Sequence, residues 1–167
     1  MNKKFNVLVV GAGTMGHGIA QQAAMHGYAV TIMDQNEGML TRAKTLVREH
    51  LENMHAKGLI PFSQIGETIA RITCSTDLEQ SAAHADFVFE AVFEDLQVKR
   101  ALFRQLGEYT RADVVLASNT SSFDINELCA VTAVPSRVIG AHWFHPPQIT
   151  PCIELITTEH TSPETLH

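Results

Sequence analysis

Positive charge is scarce in this sequence. Its 167 residues contain 12 Lys and Arg against 18 Asp and Glu, which gives a formal net charge of −6 at pH 7. Binding to a nucleic acid or to an anionic membrane surface requires a cluster of basic residues. We therefore expect neither a nucleic acid nor a membrane among the partners of this chain.

Cysteines are also few, and long hydrophobic runs are missing. There are three cysteines, Cys74, Cys129 and Cys152. Their odd number and wide spacing argue against a disulfide framework and against a Cys-x-x-Cys metal site. The histidines are scattered without a metal-ligand pattern, so we predict no metal. No stretch approaches the roughly 20 apolar residues of a membrane span, and the apolar run at 7–10 is too short for a signal peptide. A reducing, cytoplasmic location is the simplest interpretation.

Short apolar runs alternate with helical patterns along the chain. The predicted strands are 7–10, 29–33, 72–74, 87–93 with its exit, 114–117, 138–141 and 152–156, and the predicted helices are 15–26, 37–57, 63–70 and 96–106. No linker interrupts them, so residues 1–167 are predicted to form one domain. Strands that alternate with helices indicate an α/β fold, with a doubly wound, mostly parallel sheet and helices on both faces.

A glycine-rich segment follows the first predicted strand and opens the first predicted helix. Residues 11–16 read G-A-G-T-M-G, and in this context G-x-G-x-x-G is typical of a dinucleotide-binding, Rossmann-type fold. Gly11 makes the tight turn, Gly13 lets a pyrophosphate approach the backbone, and Gly16 lets the helix pack close to the strand. Thr14 and Met15 complete the loop that would hold the pyrophosphate at the positive end of the helix.

Asp34 ends the second predicted strand and bears on the identity of the dinucleotide. A carboxylate at this position can accept hydrogen bonds from both ribose hydroxyls, and it would repel a 2′-phosphate. No arginine follows it directly, so the sequence favours NAD over NADP. Two alternatives remain. The cofactor could be FAD, or the glycine turn and Asp34 could be unrelated features, with Asp34 only capping its strand.

Four segments together resemble one family, the NAD-dependent L-3-hydroxyacyl-CoA dehydrogenases. They are GAGTMG at 11–16, EAVFEDLQVK at 90–99, SNTSS at 118–122, and HWFHPP at 142–147 running on to Glu154. The similarity covers nearly the whole chain but only the N-terminal, NAD-binding domain of that family. It implies NAD as the cofactor, an acyl-CoA as the substrate, and oxidation of (S)-3-hydroxyacyl-CoA to 3-ketoacyl-CoA.

The resemblance assigns the proton-transfer chemistry to two residues. His142 matches the family's catalytic base, and Glu154 matches the glutamate that orients its imidazole. The chemistry agrees, because oxidation of a secondary alcohol requires a base with a pKa near operating pH. A carboxylate on the far ring nitrogen fixes the tautomer and stabilises the imidazolium. The alternative is that His142 caps a strand and Glu154 is a solvated charge.

The resemblance also implies ligands for substrate and cofactor. Ser121 matches a serine that contacts the substrate oxygen and the nicotinamide region, and Glu94 and Lys99 match residues along the ribose and nicotinamide half of NAD. Lys57 matches a lysine that reaches the CoA moiety. Each residue also has a purely structural alternative. Ser121 could form a turn or cap a helix, and Glu94 could be an ordinary acidic residue at the start of a helix. Lys99 could be a surface lysine, and Lys57 could simply complement the dipole at the end of its helix.

The sequence departs from the family in two respects. His145 stands where the family has an Asn whose amide contacts the nicotinamide, and a neutral imidazole replaces that amide only in part. The helical C-terminal domain, which covers the substrate and forms the family's homodimer, is absent, so we expect the chain to be a fragment of a longer protein. A dehydrogenase of a free 3-hydroxy acid such as gulonate or carnitine, and an NAD-binding module without turnover, are the alternative functions.

Overall fold

A seven-stranded sheet forms the centre of the computed structural model, which describes residues 5–150 and 152–166. Its strands are β1 (Asn6–Val10), β2 (Ala29–Met33), β3 (Ile72–Ser75), β4 (Phe87–Glu90), β5 (Val115–Ser118), β6 (Val138–Trp143) and β7 (Ile153–Ile156). The spatial order is β3-β2-β1-β4-β5-β6-β7, in which β1 to β6 run parallel and β7 runs antiparallel to β6. This is the strand order of a Rossmann-type sheet with an antiparallel edge strand, so the predicted fold class is confirmed.

Helices cover both faces of this sheet. They are α1 (Gly16–Met25), α2 (Glu37–Ala56), α3 (Phe62–Ala70), α4 (Leu78–Ala83), α5 (Leu96–Tyr109) and α6 (Asn126–Cys129), with short 3₁₀ helices at Pro135–Arg137 and Pro163–Leu166. Side-chain caps start three of them: Asn36 accepts hydrogen bonds at the first turn of α2, Asp77 at the first turn of α4, and Asp95 at the first turn of α5. None of the helices among the described residues is both long and apolar enough to cross a membrane.

The core consists of two apolar layers separated by the sheet. In β1, Val7 and Val9 pack with residues of α1, α2 and α3, while Leu8 and Val10 pack with residues of α4, α5 and α6. Successive side chains of a strand point to opposite faces, so a strand covered on both sides becomes a continuous apolar run. This explains why the run at 7–10 predicts a buried strand correctly.

The predicted elements agree with the structure apart from a few short elements and helix ends. Helix α6 and the 3₁₀ turn at Pro135–Arg137 were missed because elements this short show no measurable periodicity. Helix α5 continues past Leu106, where its end receives hydrogen bonds from the buried guanidinium of Arg137, which donates to Gly107 O and Thr110 Oγ1. That cap comes from a distant part of the chain, so no local pattern predicts it.

Candidate active site

A cavity of about 970 Å³ lies at the carboxyl-terminal edge of the sheet. It opens where β1 pairs with β2 on one side and with β4 on the other, which is the switch point at which open α/β sheets bind their ligands. The predicted site residues that line it are Gly11, Gly13, Thr14, Met15, Asp34, Glu94, Lys99, Ser121, His142 and His145. The described lining residues do not include Gly16, Lys57 or Glu154.

The three glycines of the loop after β1 have different structural tasks. Gly11 has φ +105°, and a Cβ there would lie 2.5 Å from the carbonyl oxygen of Ala91 in the loop after β4. A Cβ on Gly16 would lie 1.8 Å from the carbonyl oxygen of Gly11, so the start of α1 needs glycine to pack against its own loop. A Cβ on Gly13 would meet nothing within 4 Å, which leaves its backbone accessible from the cavity.

His17 supports this loop, a role that sequence analysis missed. Its Nδ1 donates to the carbonyl oxygen of Gly13 at 2.8 Å, and its ring stacks on His50 of α2 with the ring centroids 5.5 Å apart. In a trans peptide the carbonyl and the following N–H point in opposite directions. Holding the Gly13 carbonyl toward the helix therefore aims the N–H of Thr14 outward, toward the predicted pyrophosphate position.

Asp34 lies at the end of β2, where its carboxylate is held by backbone amides. Oδ2 accepts from Ala12 N at 2.9 Å, and Oδ1 accepts from Asn36 N at 2.9 Å. Each oxygen keeps a further lone pair for a ligand hydroxyl. The carboxylate thus links the glycine loop to the start of α2 and remains exposed to the cavity.

His142 and Glu154 are brought together by the β6–β7 pairing. They are directly opposite in the antiparallel register, and His142 Nδ1 lies 3.3 Å from Glu154 Oε2. The imidazole is about a quarter exposed, whereas Glu154 is mostly exposed. Phe144 lies beside the imidazole with its ring centroid 5.2 Å away. When Nδ1–H donates to Glu154, Nε2 keeps its lone pair for a substrate proton.

A ring of hydrogen bonds lies under the loops after β4 and β5. Lys99, 1% exposed, donates to Glu90 Oε1 at 2.6 Å and to Glu94 Oε2 at 3.1 Å. Glu90 Oε2 accepts from Ser118 Oγ at 2.5 Å, and Ser118 Oγ accepts from Thr120 N at 3.2 Å. Thr120 Oγ1 closes the ring by donating to Glu94 Oε1. Lys99 is thus a buried residue at the floor of the cavity, not a surface lysine.

The same ring determines the direction of Ser121. Thr120 and Ser122 both donate to Glu94 Oε1, the latter at 3.0 Å. Ser121 lies between them, exposed, and lines the cavity. Burial alone would raise the pKa of Glu94, but hydrogen bonds from Thr120, Lys99 and Ser122, together with the Lys99 charge, outweigh it and lower the pKa. Glu94 is therefore a carboxylate at neutral pH.

Sequence analysis missed Glu90, Thr120 and Ser122. Asn119 Oδ1 accepts from Trp143 N at 2.9 Å, which ties the exit of β5 to the end of β6. The one sequence signal that could have indicated a role for Glu90 is its position directly after the apolar segment F-V-F at 87–89. Lys57 lies exposed at the C-terminal end of α2.

Comparisons with known proteins agree with this geometry. Residues 6–167 match the family described as 3-hydroxyacyl-CoA dehydrogenase, NAD binding domain. The chain belongs to this family. A probable 3-hydroxybutyryl-CoA dehydrogenase of Deinococcus radiodurans is 40% identical over 158 residues, which cover 94% of this chain and 56% of that protein. The mitochondrial hydroxyacyl-coenzyme A dehydrogenase of Sus scrofa is 36% identical over 166 residues, covering 96% of this chain and 53% of that protein.

A solved structure shows the same fold. The crystal structure of 3-hydroxybutyryl-CoA dehydrogenase from Escherichia coli K12 superimposes with a TM-score of 0.94 at 36% identity, covering 98% of this chain and 34% of that one. The chain spans about half the length of the two curated relatives. The predicted family and its N-terminal domain are confirmed.

NAD is the cofactor of this domain family, and the cavity fits it. The open backbone at Gly13 gives a pyrophosphate access, and Asp34 offers a carboxylate to a ribose. Ser121, His142 and His145 line the part of the cavity around the loops after β5 and β6. Within the described residues no group of three or more His, Cys, Asp or Glu is placed to hold a metal ion.

Proposed function

We propose that this chain carries the cofactor site and the catalytic base of an NAD-dependent dehydrogenase that acts on (S)-3-hydroxyacyl-CoA. The observation that carries the proposal is that His142, held against Glu154, lines the same cavity as the dinucleotide loop. A base and a hydride acceptor must meet at one carbinol carbon, and this cavity is where the two coincide. The names of the relatives support the substrate class.

The proposed reaction uses the residues as follows. NAD, when bound, supplies the acceptor for the hydride that leaves the carbinol carbon. His142 Nε2 removes the hydroxyl proton as the C–H bond breaks and the carbonyl forms. Glu154 holds the tautomer and stabilises the imidazolium that results. Ser121 donates a hydrogen bond to the oxygen as it acquires negative charge.

Other predicted ligands complete the proposed site. Glu94 and Lys99 would lie along the ribose and nicotinamide half, supported by their place on the cavity wall. His145 would take the position next to the nicotinamide, and Lys57 would meet the CoA moiety outside the cavity. We further propose that the protein is a homodimer and cytoplasmic, to be checked by light scattering and fractionation.

The test is a pair of measurements on the wild type and on His142→Ala. Binding of NADH, followed by its fluorescence, should be nearly equal in the two proteins. Reduction of acetoacetyl-CoA, followed by NADH absorbance, should fall about 10²–10⁴-fold in the variant, as for a lost general base. His160→Ala, at an exposed histidine remote from the cavity, is the control and should keep full activity. Normal turnover in His142→Ala would refute the assignment.

A second candidate is an NAD-binding module without turnover, which the coverage of the relatives favours. The matched residues cover 56% and 53% of the length of the two curated relatives. This candidate predicts NADH binding without reduction of acetoacetyl-CoA. Parallel assays with gulonate and carnitine separate both candidates from a dehydrogenase of free hydroxy acids.

A further inference from the structure

The buried ring under the site contains more negative than positive charge. Glu90 and Glu94 are paired with a single ammonium, that of Lys99, so the three groups together carry one net negative charge. The lowered pKa of Glu94 keeps its carboxyl ionised at neutral pH. Ser118 and Thr120, the other members of the ring, are neutral.

Glu90 differs from Glu94 in its accessibility. Its side chain is fully buried, and its oxygens are occupied by Lys99, Ser118 and the amide of Val92 at 2.8 Å. A ligand in the cavity therefore meets Glu94 and Lys99 but has no surface of Glu90 to touch. Removing the charge of Glu90 alters the electrostatic potential of the site without altering its contact surface.

The position of this charge matters because the two cofactor forms differ in charge. The nicotinamide ring of NAD⁺ is a cation, whereas that of NADH is neutral, and protein charge near such a ring tunes its electronics. Among the described residues lining the cavity, fixed charges are carried by Asp34 beside the glycine loop and by Glu94 and Lys99 beside Ser121. The excess negative charge of the ring thus lies at the end that contains His142 and Ser121.

We propose that Glu90 determines the preference of this site for the oxidised over the reduced cofactor. It makes the Glu90–Lys99–Glu94 group net negative, and so stabilises the cationic nicotinamide without touching it. The inference rests on the proposed function, which places the nicotinamide beside His142.

The test is the ratio of the dissociation constants of NAD⁺ and NADH, measured by calorimetry on the full chain. In Glu90→Gln the amide oxygen still accepts from Lys99, and the ring becomes neutral. The ratio Kd(NAD⁺)/Kd(NADH) should rise about fourfold to fifteenfold, as for unit charges roughly 10 Å apart at an effective dielectric constant between about 20 and 40. Glu127→Gln removes an exposed carboxylate paired with Arg100 and should leave the ratio unchanged.

A double variant distinguishes charge from geometry. Glu90→Gln with Lys99→Met removes both members of the buried pair and returns the group to one net negative charge, that of Glu94. The ratio should then return to within about twofold of wild type, although both affinities fall through lost contacts of Lys99. If Glu90→Gln does not fold, Glu94→Gln, at a partly exposed side chain, should shift the ratio in the same direction.

Two results would overturn the inference. One is a Glu90→Gln protein that folds, by circular dichroism, and binds both cofactors with an unchanged ratio. The other is a ratio that stays high in the double variant, which would assign the effect to geometry. Failure of the wild type to bind either cofactor would instead refute the proposed function, and the inference with it.

Discussion

His142 and Glu154 face each other across the antiparallel pair β6–β7, with Nδ1 of the imidazole 3.3 Å from Oε2 of the carboxylate. Directly opposite residues in such a pair have their side chains on the same face of the sheet. The contact therefore depends on the pairing register of β6 and β7. Because β7 is the edge strand, Glu154 stays exposed while the imidazole lies against the cavity.

Glu154→Gln should lower kcat about 10²-fold with little change in NADH binding. Glutamine retains an oxygen acceptor but loses the charge that stabilises the imidazolium. Steady-state kinetics with acetoacetyl-CoA and NADH fluorescence titrations measure the two effects. Glu159→Gln, at an exposed carboxylate beyond β7, is the matched control. An unchanged kcat in Glu154→Gln would contradict the orienting role.

Alanine at two glycines should separate ligand binding from folding. Gly13→Ala should change the free energy of unfolding by less than about 1 kcal/mol, since its Cβ meets nothing, yet weaken NADH binding at least ~10-fold by filling the pyrophosphate approach. Gly16→Ala should destabilise the protein by about 3 kcal/mol or more, because its Cβ would lie 1.8 Å from Gly11 O. Urea denaturation and fluorescence titration measure the two effects. Tight NADH binding by a folded Gly13→Ala protein would argue against this loop as the pyrophosphate site.

His17→Phe should weaken NADH binding roughly 3- to 10-fold, the worth of about one hydrogen bond of ~1 kcal/mol. The phenylalanine side chain keeps the stack on His50 but cannot donate to Gly13 O, which retains only the backbone N–H of residue 17, at 3.4 Å. His26, which directly follows α1, offers a matched control. Its Nδ1 makes the same kind of contact, at 2.8 Å, with the carbonyl oxygen of Gln22 near the C-terminal end of α1. His26→Phe should bind NADH as wild type does. Equal effects of the two substitutions would show that the Gly13 carbonyl needs no such support.

The free energy of unfolding should fall as the pH is lowered below about 6.5, in part because of His50. Burial of its ring, and then the neighbouring charge of His17, lower the pKa of His50 from 6.5, and these effects outweigh Glu49, which raises it. Gln148 of the loop after β6 also contacts the ring. The folded state thus favours the neutral imidazole, so its contribution is present above the unfolded pKa and is lost as the pH falls through the folded pKa.

Urea unfolding of wild type and His50→Gln at several pH values between about 7.5 and 5 tests this prediction. The variant should lose less stability than wild type over that interval. His84 is an exposed histidine at the C-terminal end of α4, and the His84→Gln variant should show the same dependence of stability on pH as wild type. Parallel curves for wild type and His50→Gln would rule out His50 as a source of the acid sensitivity.

Local patterns explain why so much of the fold and of the cofactor loop was predictable. The run at 7–10, the glycines of residues 11–16 and Asp34 lie within one strand–helix–strand unit, and each is constrained by neighbours close in sequence. The contact between His142 and Glu154 was predicted only through the resemblance, because no spacing by itself indicates which strands pair. The roles assigned to these residues stay predictions until the variants are measured.

The sequence by itself determined the alternation of strands and helices, the dinucleotide loop, and the set of side chains available for chemistry. Only the tertiary structure decided that Lys99 is buried, that Glu90 holds it, and that Ser121 faces the cavity while Thr120 and Ser122 face Glu94. The reason is physical: these contacts join β4, α5 and the loop after β5, and the energy of a buried charge depends on every group around it. Strand patterns record the face on which a residue lies, whereas the partners of a buried ion pair are settled only when the strands assemble.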